Sequence, residues 1–142
     1  MNLVLKIKKL RADATLPTYA HPGDAGLDIY TCESVSVEPG EKTAISTGIA
    51  MEIPEGYVGM IWDKSGIAIK NGIKTLGGVV DSGYRGEVLI GVINLSKERY
   101  TFEKGHKVAQ MVIQKKEDVV VEEVQELSDT SRGEGRFGST GK

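Results

Sequence analysis

The chain has 142 residues, with 18 Lys+Arg against 20 Asp+Glu, a formal net charge of −2 and a single cysteine. The length fits one domain with its own core, and the nearly balanced charge argues against general binding to nucleic acid. Cys32 alone excludes an internal disulfide framework, and no signal-peptide or membrane-spanning pattern is present, so we expect a cytoplasmic protein without membrane contact.

Short segments with strand character follow one another along almost the whole chain. Near the start, Leu3, Leu5 and Ile7 alternate with other residues in the period of a half-buried strand. Further β-rich runs, separated by turn signals such as HPGDAG, EPGE and DSGYRG, are DIYTC, SVSVE, TAISTGIAMEI, YVGMIW, GVV, EVLIGVINL, YTFE, KVAQMVIQ and VVVEEV. This regular punctuation predicts an all-β sandwich or barrel.

One helix and one mobile arm interrupt this pattern. Residues 65–72, SGIAIKNG, predict about two helical turns, with Ser65 as N-cap and Gly72 as the C-terminal stop. After Leu127 the apolar residues give way to SDTSRGEGRFGSTGK. We therefore predict a β-barrel domain over residues 1–127 and a flexible C-terminal arm over residues 128–142.

Several familiar reaction motifs are missing from the sequence. It contains no GxSxG, no HExxH and no GxxxxGK[ST] pattern, and His21 and His106 are isolated, so no His/Cys metal cluster is predicted. The remaining candidates are short polar, glycine-rich segments at strand ends. Together they suggest a site for a phosphorylated ligand.

Two of these segments, AGLDIY and DKSGIA, lie in the first half of the chain. Asp28 opens a strand just after a turn, where a turn cap is the simpler interpretation. The lysine, serine and glycine of DKSGIA begin the predicted helix, where free N–H groups and the positive dipole end favour an anion. An ordinary capped helix with a solvated lysine explains that segment equally well.

Two more segments follow. In GGVVDSGYRGEVLIGVIN, residues 77–94, two apolar strands flank a turn that holds Asp81 and Tyr84. Backbone N–H and C=O groups of such a hairpin can pair with the polar edge of a planar base, although a plain hairpin remains an alternative. In KGHKVAQMVI, Gln110 is the only non-ionisable polar side chain of an apolar strand, and a satisfied core amide is the simpler interpretation.

The arm ends in RGEGRFGSTGK, which has four glycines in eleven residues and a single aromatic, Phe137. Fixing this backbone costs more free energy than burial of Phe137 returns, so the arm is not expected to order by itself. Arginine–phosphate bonds and stacking on a base would change that balance. We interpret the arm as a lid that orders over a bound nucleotide and excludes water.

Taken in order, AGLDIY, DKSGIA, GGVVDSGYRGEV, KGHKVAQMVI and RGEGRFGSTG resemble the five motifs of the trimeric deoxyuridine triphosphatases (dUTPases). The resemblance spans roughly residues 15–142. It implies a jelly-roll-like β-barrel, Mg²⁺-assisted hydrolysis of dUTP to dUMP and pyrophosphate, and a homotrimer with three shared active sites.

The resemblance also assigns roles to residues. Asp81 matches the aspartate that orients and deprotonates the attacking water, and Tyr84 matches the ring that packs on deoxyribose and excludes a 2′-hydroxyl. Asp28 and Gln110 match residues that contact the Mg²⁺–triphosphate unit through water. Other substrate-binding positions implied by the resemblance are Lys64, Ser65, Gly66, Gly78, Val79, Val80, Leu89, Arg132, Phe137, Gly138 and Ser139.

The chain departs from the family pattern at two positions. Lys64 stands where arginine is usual, which keeps the charge but loses the two-pronged donor geometry. Arg136 replaces the glycine before Phe137, and we expect its side chain to point to solvent. Two other functions stay open, a dCTP deaminase-like enzyme and a non-catalytic nucleotide-sensing module. The deaminases carry a catalytic glutamate where this chain has Gly91, and a module would be expected to lack Asp81 or the arm.

Overall fold

The structure is a computed structural model that describes residues 2–141; residues 1 and 142, the outer ends of the predicted domain and arm, lie outside the described part. The described residues form ten strands and one short helix. In chain order these are β1 Lys6–Lys9, β2 Leu27–Tyr30, β3 Val35–Val37, β4 Lys42–Glu52, β5 Tyr57–Asp63, α1 Ser65–Asn71, β6 Ile73–Leu76, β7 Val79–Val80, β8 Glu87–Asn94, β9 Tyr100–Phe102 and β10 Lys107–Lys115.

The strands form two four-stranded sheets and a two-stranded ribbon, and all the paired strands are antiparallel. One sheet has the order β1-β4-β8-β6 and the other β2-β10-β5-β7, while β3 pairs with β9. Side chains from both sheets share one apolar core that includes Ile29, Ile45, Ile90, Phe102 and Met111. The all-β, jelly-roll-like prediction is confirmed.

Alternation along the strands explains why this core forms. In β8, Val88, Ile90 and Val92 are buried, whereas Leu89 between them is exposed. This period of two directs one face of the strand to the core and leaves the other face free. Leu89 is therefore available to a ligand or to another chain.

Four local predictions need correction. Strand β1 begins at Lys6, so Leu3 and Leu5 precede it, and the helix begins at Ser65 with Lys64 as N-cap, although Gly72 ends it as predicted. Strand β6 was not predicted, because its four residues lie between glycine-containing segments. The predicted strand VVVEEV is wrong for the described chain, in which residues 116–141 contain no strand.

The wrong prediction at VVVEEV has a clear physical reason. Val119, Val120 and Val121 are 78%, 95% and 91% exposed, so the segment has strand-forming residues but no partner strand among residues 2–141 of its own chain. Among residues 2–141, no helix is long and apolar enough to cross a membrane.

Candidate functional site

Asp28 lies buried between two lysine side chains. Its Oδ1 is 2.6 Å from Nζ of Lys64, and its Oδ2 is 3.0 Å from Nζ of Lys107. Burial acts to raise the pKa of Asp28, but the hydrogen bond from Lys64 and the positive charges of both lysines outweigh it, so this pKa lies below its ordinary value. Asp28 is therefore an ionised carboxylate that pairs with two lysine ammonium groups at one end of the sheet, rather than only a turn cap.

The antiparallel register brings Gln110 beside this carboxylate. Gln110 in β10 lies opposite Asp28 in β2 and opposite Trp62 in β5. Its Nε2 donates a hydrogen bond to the backbone carbonyl of Asp63 at 2.9 Å, which leaves Oε1 on the side of Gly26. A Cβ at Gly26 would lie 2.2 Å from that oxygen, so the AGLDIY glycine makes room for the amide. Gln110 is half-buried and its Nε2 has a hydrogen-bond acceptor, so the interpretation as a satisfied core amide holds for that nitrogen.

Helix α1 starts directly after this cluster. Lys64 has extended backbone angles, φ −81° and ψ 115°, and no side chain caps the first turn. Ser65 and Gly66 are exposed, and a Cβ at Gly66 would meet nothing within 4 Å. The first turn of α1 therefore presents open backbone beside the Lys64 ammonium, an arrangement that suits an anion.

A cavity of about 240 Å³ lies at the hairpin predicted to bind a base, and its lining residues are Val79, Val80, Asp81, Tyr84, Glu87, Val88 and Leu89. Asp81 is exposed at the end of β7, and Tyr84 is 46% exposed. The structure thus brings together four of the residues predicted for nucleoside binding with the predicted water-activating aspartate. Gly78 stands just outside, where its carbonyl accepts a hydrogen bond from Ile61 N at 2.7 Å and fixes β7 to β5.

Tyr84 is held in place within this hairpin. Its Oη donates a hydrogen bond to the backbone carbonyl of Glu87 at 2.7 Å, and its amide donates to the carbonyl of Asp81 at 3.1 Å. A Cβ at Gly86 would lie 2.6 Å from Tyr84 Oη, so the glycine of YRG allows the ring to close over the turn.

The two clusters lie at opposite ends of one sheet. Val80 pairs with Gly59, and Gly59 pairs with Ile113, so Asp81 lies near the level of Gln114, four residues beyond Gln110. Four residues span roughly 13 Å along a strand and two inter-strand steps add roughly 10 Å across the sheet, which separates Asp81 from Gln110 by roughly 16 Å.

A charge effect agrees with this placement. The pKa of Lys116 is raised by its hydrogen bond to Asp118 and, to a smaller extent, by the charge of nearby Asp81. Lys116 follows the last residue of β10, so Asp81 lies at that end of the strand.

The arm is apart from both clusters. Phe137 is fully exposed, and the hydrogen bonds of Arg132, Ser139 and Gly141 in the described chain are to other residues of the arm. Gly138 has a left-handed φ of 83°. The structure therefore does not bring Arg132, Phe137, Gly138 or Ser139 to the barrel of their own chain, and Arg136 shares their exposure to solvent.

Sequence reasoning missed two residues in these clusters. Lys107 reaches Asp28 because of the β2–β10 register, and Glu87 lines the cavity because β8 begins there. Each stands inside a quoted motif, but only strand pairing reveals its neighbours. Among residues 2–141, no group of three or more His, Cys, Asp or Glu side chains could hold a metal ion.

Comparison with known proteins gives consistent matches. A protein-family model described as dUTPase matches residues 12–141. The deoxyuridine 5'-triphosphate nucleotidohydrolase of Clostridium kluyveri is 48% identical over 139 residues, covering 96% of this chain and 97% of the relative. The protein of the same name from Clostridium tetani is 49% identical over 140 residues, covering 97% of each.

Solved structures agree with these relatives. The dUTPase of Staphylococcus bacteriophage 80alpha with dUpNHpp superposes with a TM-score of 0.89 at 34% identity, covering 99% of this chain and 100% of that one. A mutant dUTPase from phage phi11 of S. aureus, described for its coordination of a structural Mg(II) ion, has a TM-score of 0.81 at 31% identity and covers 87% and 98%.

Proposed function

The chain belongs to the dUTPase family and is a dUTP diphosphatase, and we propose that Asp81 activates the water that attacks the α-phosphorus of dUTP. The observation that carries this mechanism is the single cavity that Asp81, Tyr84 and Leu89 all line. An exposed carboxylate there can accept the proton of a water molecule. The oxygen of that water then bonds to the α-phosphorus as the bridge to pyrophosphate breaks.

We propose that the same cavity selects the nucleoside. Uracil lies against the backbone of Gly78, Val79 and Val80 and beneath Leu89, and deoxyribose packs on the ring of Tyr84. The Tyr84 phenol is already bonded to the Glu87 carbonyl, which favours a fixed ring that leaves no space for a 2′-hydroxyl. An aspartate is a weak base, so the placement of water and phosphate contributes more to catalysis than basicity does.

We propose that the triphosphate binds at the other cluster, which is formed around Asp28 and the start of α1. Lys64 supplies charge, Ser65 and Gly66 supply backbone N–H groups at the start of α1, and Arg132 grips the γ-phosphate from the arm. Phe137 then stacks over the base, with Gly138 and Ser139 completing the lid. The ring of Phe137 is fully exposed, so it can stack on a bound base.

The oxygen donors of this cluster fit Mg²⁺ that arrives with the triphosphate and keeps its waters. Asp28 Oδ2 accepts no well-aligned hydrogen bond although Lys107 is 3.0 Å away, and Gln110 Oε1 faces Gly26. We propose that Asp28 and Gln110 hold the metal through water. The chemistry that Mg²⁺ would supply there is neutralisation of charge on the phosphate oxygens. Lys64 and Lys107 place two positive charges beside Asp28, so binding of Mg²⁺ without the triphosphate is disfavoured.

The separation of the clusters supports a shared site. Asp81 and Gln110 of one chain are roughly 16 Å apart along and across the sheet, which is farther than a triphosphate reaches from its α-phosphorus. Asp81 of one subunit therefore acts with the phosphate cluster of a neighbour. We propose a homotrimer, in which three chains build three such sites.

The segment between β10 and the arm supports contact between copies. Residues 116–127 combine exposed valines with five acidic side chains, Glu117, Asp118, Glu122, Glu123 and Glu126. Strand β1, which in the described chain pairs only with β4, borders a depression of about 370 Å³ with three basic residues, Lys6, Lys8 and Arg85, around Glu52. Opposite charges and an open strand edge make this face a suitable partner for the segment of a neighbouring chain.

Pyrophosphate release from dUTP, dTTP, UTP and dCTP tests the function directly. We expect turnover of dUTP alone, because a site with buried polar groups can discriminate by about 10⁴ or more. Comparable turnover of dTTP would contradict the hairpin assignment. Release of ammonia from dCTP would favour a deaminase, but this chain has Gly91 where the deaminases carry their catalytic glutamate, and a Cβ there would lie close to the Leu76 carbonyl, at 3.1 Å.

Asp81→Asn tests the chemistry. The change keeps the size of the side chain and removes the base, so dUTP should still bind while hydrolysis falls at least a hundredfold. Glu38→Gln, which changes an exposed carboxylate paired with Arg99 outside the proposed site and contact segment, serves as the control and should keep full activity. Near-normal turnover by Asp81→Asn would show that the water is activated elsewhere. Binding of dUTP by the unaltered chain without any turnover would instead favour a sensing module.

A further inference from the structure

Glu87 lines the nucleoside cavity, but the proposed chemistry gives its side chain no role. The carboxylate is hydrogen-bonded to an irregular part of strand β4. Its Oε2 accepts hydrogen bonds from Ser46 Oγ and, at 2.9 Å, from the amide of Gly48. Both donors belong to one short stretch of β4.

That stretch is a bulge with a fixed position. Ser46 pairs with Leu89 and Ala50 pairs with Glu87, so four residue steps on β4 face two on β8. At its centre Gly48 has a φ of +68°, and a Cβ there would lie 3.0 Å from Ala14 Cβ. The bulge is therefore pressed against the core and gives the Glu87 carboxylate a rigid anchor.

The main chain of Glu87 connects this anchor to the substrate pocket. Its carbonyl is the acceptor for Tyr84 Oη at 2.7 Å, and the Tyr84 amide donates to the Asp81 carbonyl at 3.1 Å. One continuous path of hydrogen bonds thus runs from the β4 bulge through Glu87 to Tyr84 and Asp81.

We propose that Glu87 is a positioning residue that sets the selectivity for deoxyribose over ribose, an inference that rests on the proposed function of Tyr84. The carboxylate fixes the start of β8 to the bulge, and the Glu87 carbonyl then fixes the height of the Tyr84 ring above the cavity. Without the carboxylate, the Gly48 amide and the Ser46 hydroxyl lose their acceptor, and the start of β8 becomes free to shift. A ring displaced by a fraction of an ångström makes room for a 2′-hydroxyl.

The test compares pyrophosphate release from dUTP and UTP, with kcat and KM determined separately for the full chain. Glu87→Ala should lower the ratio of kcat/KM for dUTP to kcat/KM for UTP by roughly tenfold or more, since small misplacements at a site cost that much. Glu87→Gln, whose amide oxygen can still accept from Gly48, should keep most of the ratio. Ser46→Ala, which removes one of the two hydrogen bonds to the carboxylate together with the contact between Ser46 Oγ and Cys32 Sγ, should produce a smaller fall.

Asn94→Ala is the matched control. Asn94 ends the strand that Glu87 begins, is fully buried, and bonds to the carbonyls of Val37 and Glu98. Its loss should lower the melting temperature and leave the substrate ratio unchanged. A fall in the ratio equal to that of Glu87→Ala would reduce the role of Glu87 to general stability and overturn the proposal.

Two further outcomes are decisive. An unchanged ratio in folded Glu87→Ala overturns the inference; if that variant does not fold, an unchanged ratio in Ser46→Ala does so. A wild-type chain that fails to prefer dUTP over UTP would contradict the proposed function of Tyr84 instead, so the two failures are distinguishable.

Discussion

Asp63 illustrates how single residues prepare this site. Its carboxylate accepts hydrogen bonds from Thr75 N and Thr75 Oγ1, each at 2.7 Å, and from Lys74 Nζ at 2.9 Å, while its own carbonyl holds Gln110. Burial acts to raise the pKa of Asp63, but these bonds outweigh it and the pKa lies below its ordinary value. The end of β5, where Lys64 follows, is thereby tied to β6.

The lowered pKa of Asp63 predicts a pH dependence of stability. The unfolded carboxyl titrates near pH 3.9, so the contribution of Asp63 is complete above about pH 4 and is lost as the pH falls through the lower folded value. Asp63→Asn should cost roughly 1 kcal/mol of unfolding free energy at pH 7, and its difference from the wild type should shrink below pH 4. Urea denaturation from pH 7 to pH 3 measures this. Glu38→Gln, which changes an exposed carboxylate paired with Arg99, should change little. A difference for Asp63→Asn that is independent of pH would contradict this explanation.

At the scale of elements, the two glycines at the ends of helix α1 have different surroundings. Gly66 lies in the first turn with open space around it, whereas Gly72 ends the helix with a φ of 68° and a Cβ position 2.9 Å from Ser96 N. An alanine is tolerated at the first position and is strained at the second.

Alanine substitutions at these two glycines should therefore have opposite effects. Gly66→Ala should raise the free energy of unfolding by about 0.5–1 kcal/mol yet raise KM for dUTP, because the new methyl group occupies the face proposed for phosphate. Gly72→Ala should cost roughly 1–2 kcal/mol and leave KM unchanged in the folded enzyme. Thermal unfolding and steady-state kinetics check both. An unaltered KM for Gly66→Ala would remove Gly66 from the phosphate site.

Local sequence patterns predict most of the strands and the helix end, but they do not predict which strand residues pair. The alternation in β8 and the glycine stop of α1 are local patterns, so the all-β fold and the helix end were predictable. The pairing of Lys107 with Asp28 depends on register, which no local pattern encodes. The valines of residues 119–121 have strand propensity, but a strand needs a partner, and the described part of the chain provides none.

At the scale of the whole molecule, one chain has two separate polar clusters and an arm without hydrogen bonds to the barrel among the described residues. The proposed phosphate-binding cluster around Asp28 and the cavity around Asp81 lie at different ends of the β2-β10-β5-β7 sheet. Between Lys115, where β10 ends, and Arg132, the chain has sixteen residues, which extend to roughly 50 Å. That length is ample to cross a subunit boundary. We therefore propose that residues of a second copy complete each active site.

Complementation between two inactive variants tests this claim most directly. Asp81→Asn keeps the arm but lacks the base, and a chain truncated after Thr130 keeps Asp81 but lacks Arg132 and Phe137. Each variant refolded alone should be nearly inactive, and mixing them without unfolding provides the control for exchange.

The decisive measurement is dUTP hydrolysis after the two variants are unfolded and refolded together, with mass measurement to establish that mixed oligomers form. We predict recovered activity, because some sites then combine an intact Asp81 with an arm donated by the other variant. If mixed oligomers form and activity stays at the sum of the separate variants, the arm closes on the Asp81 of its own chain and the shared-site account is contradicted.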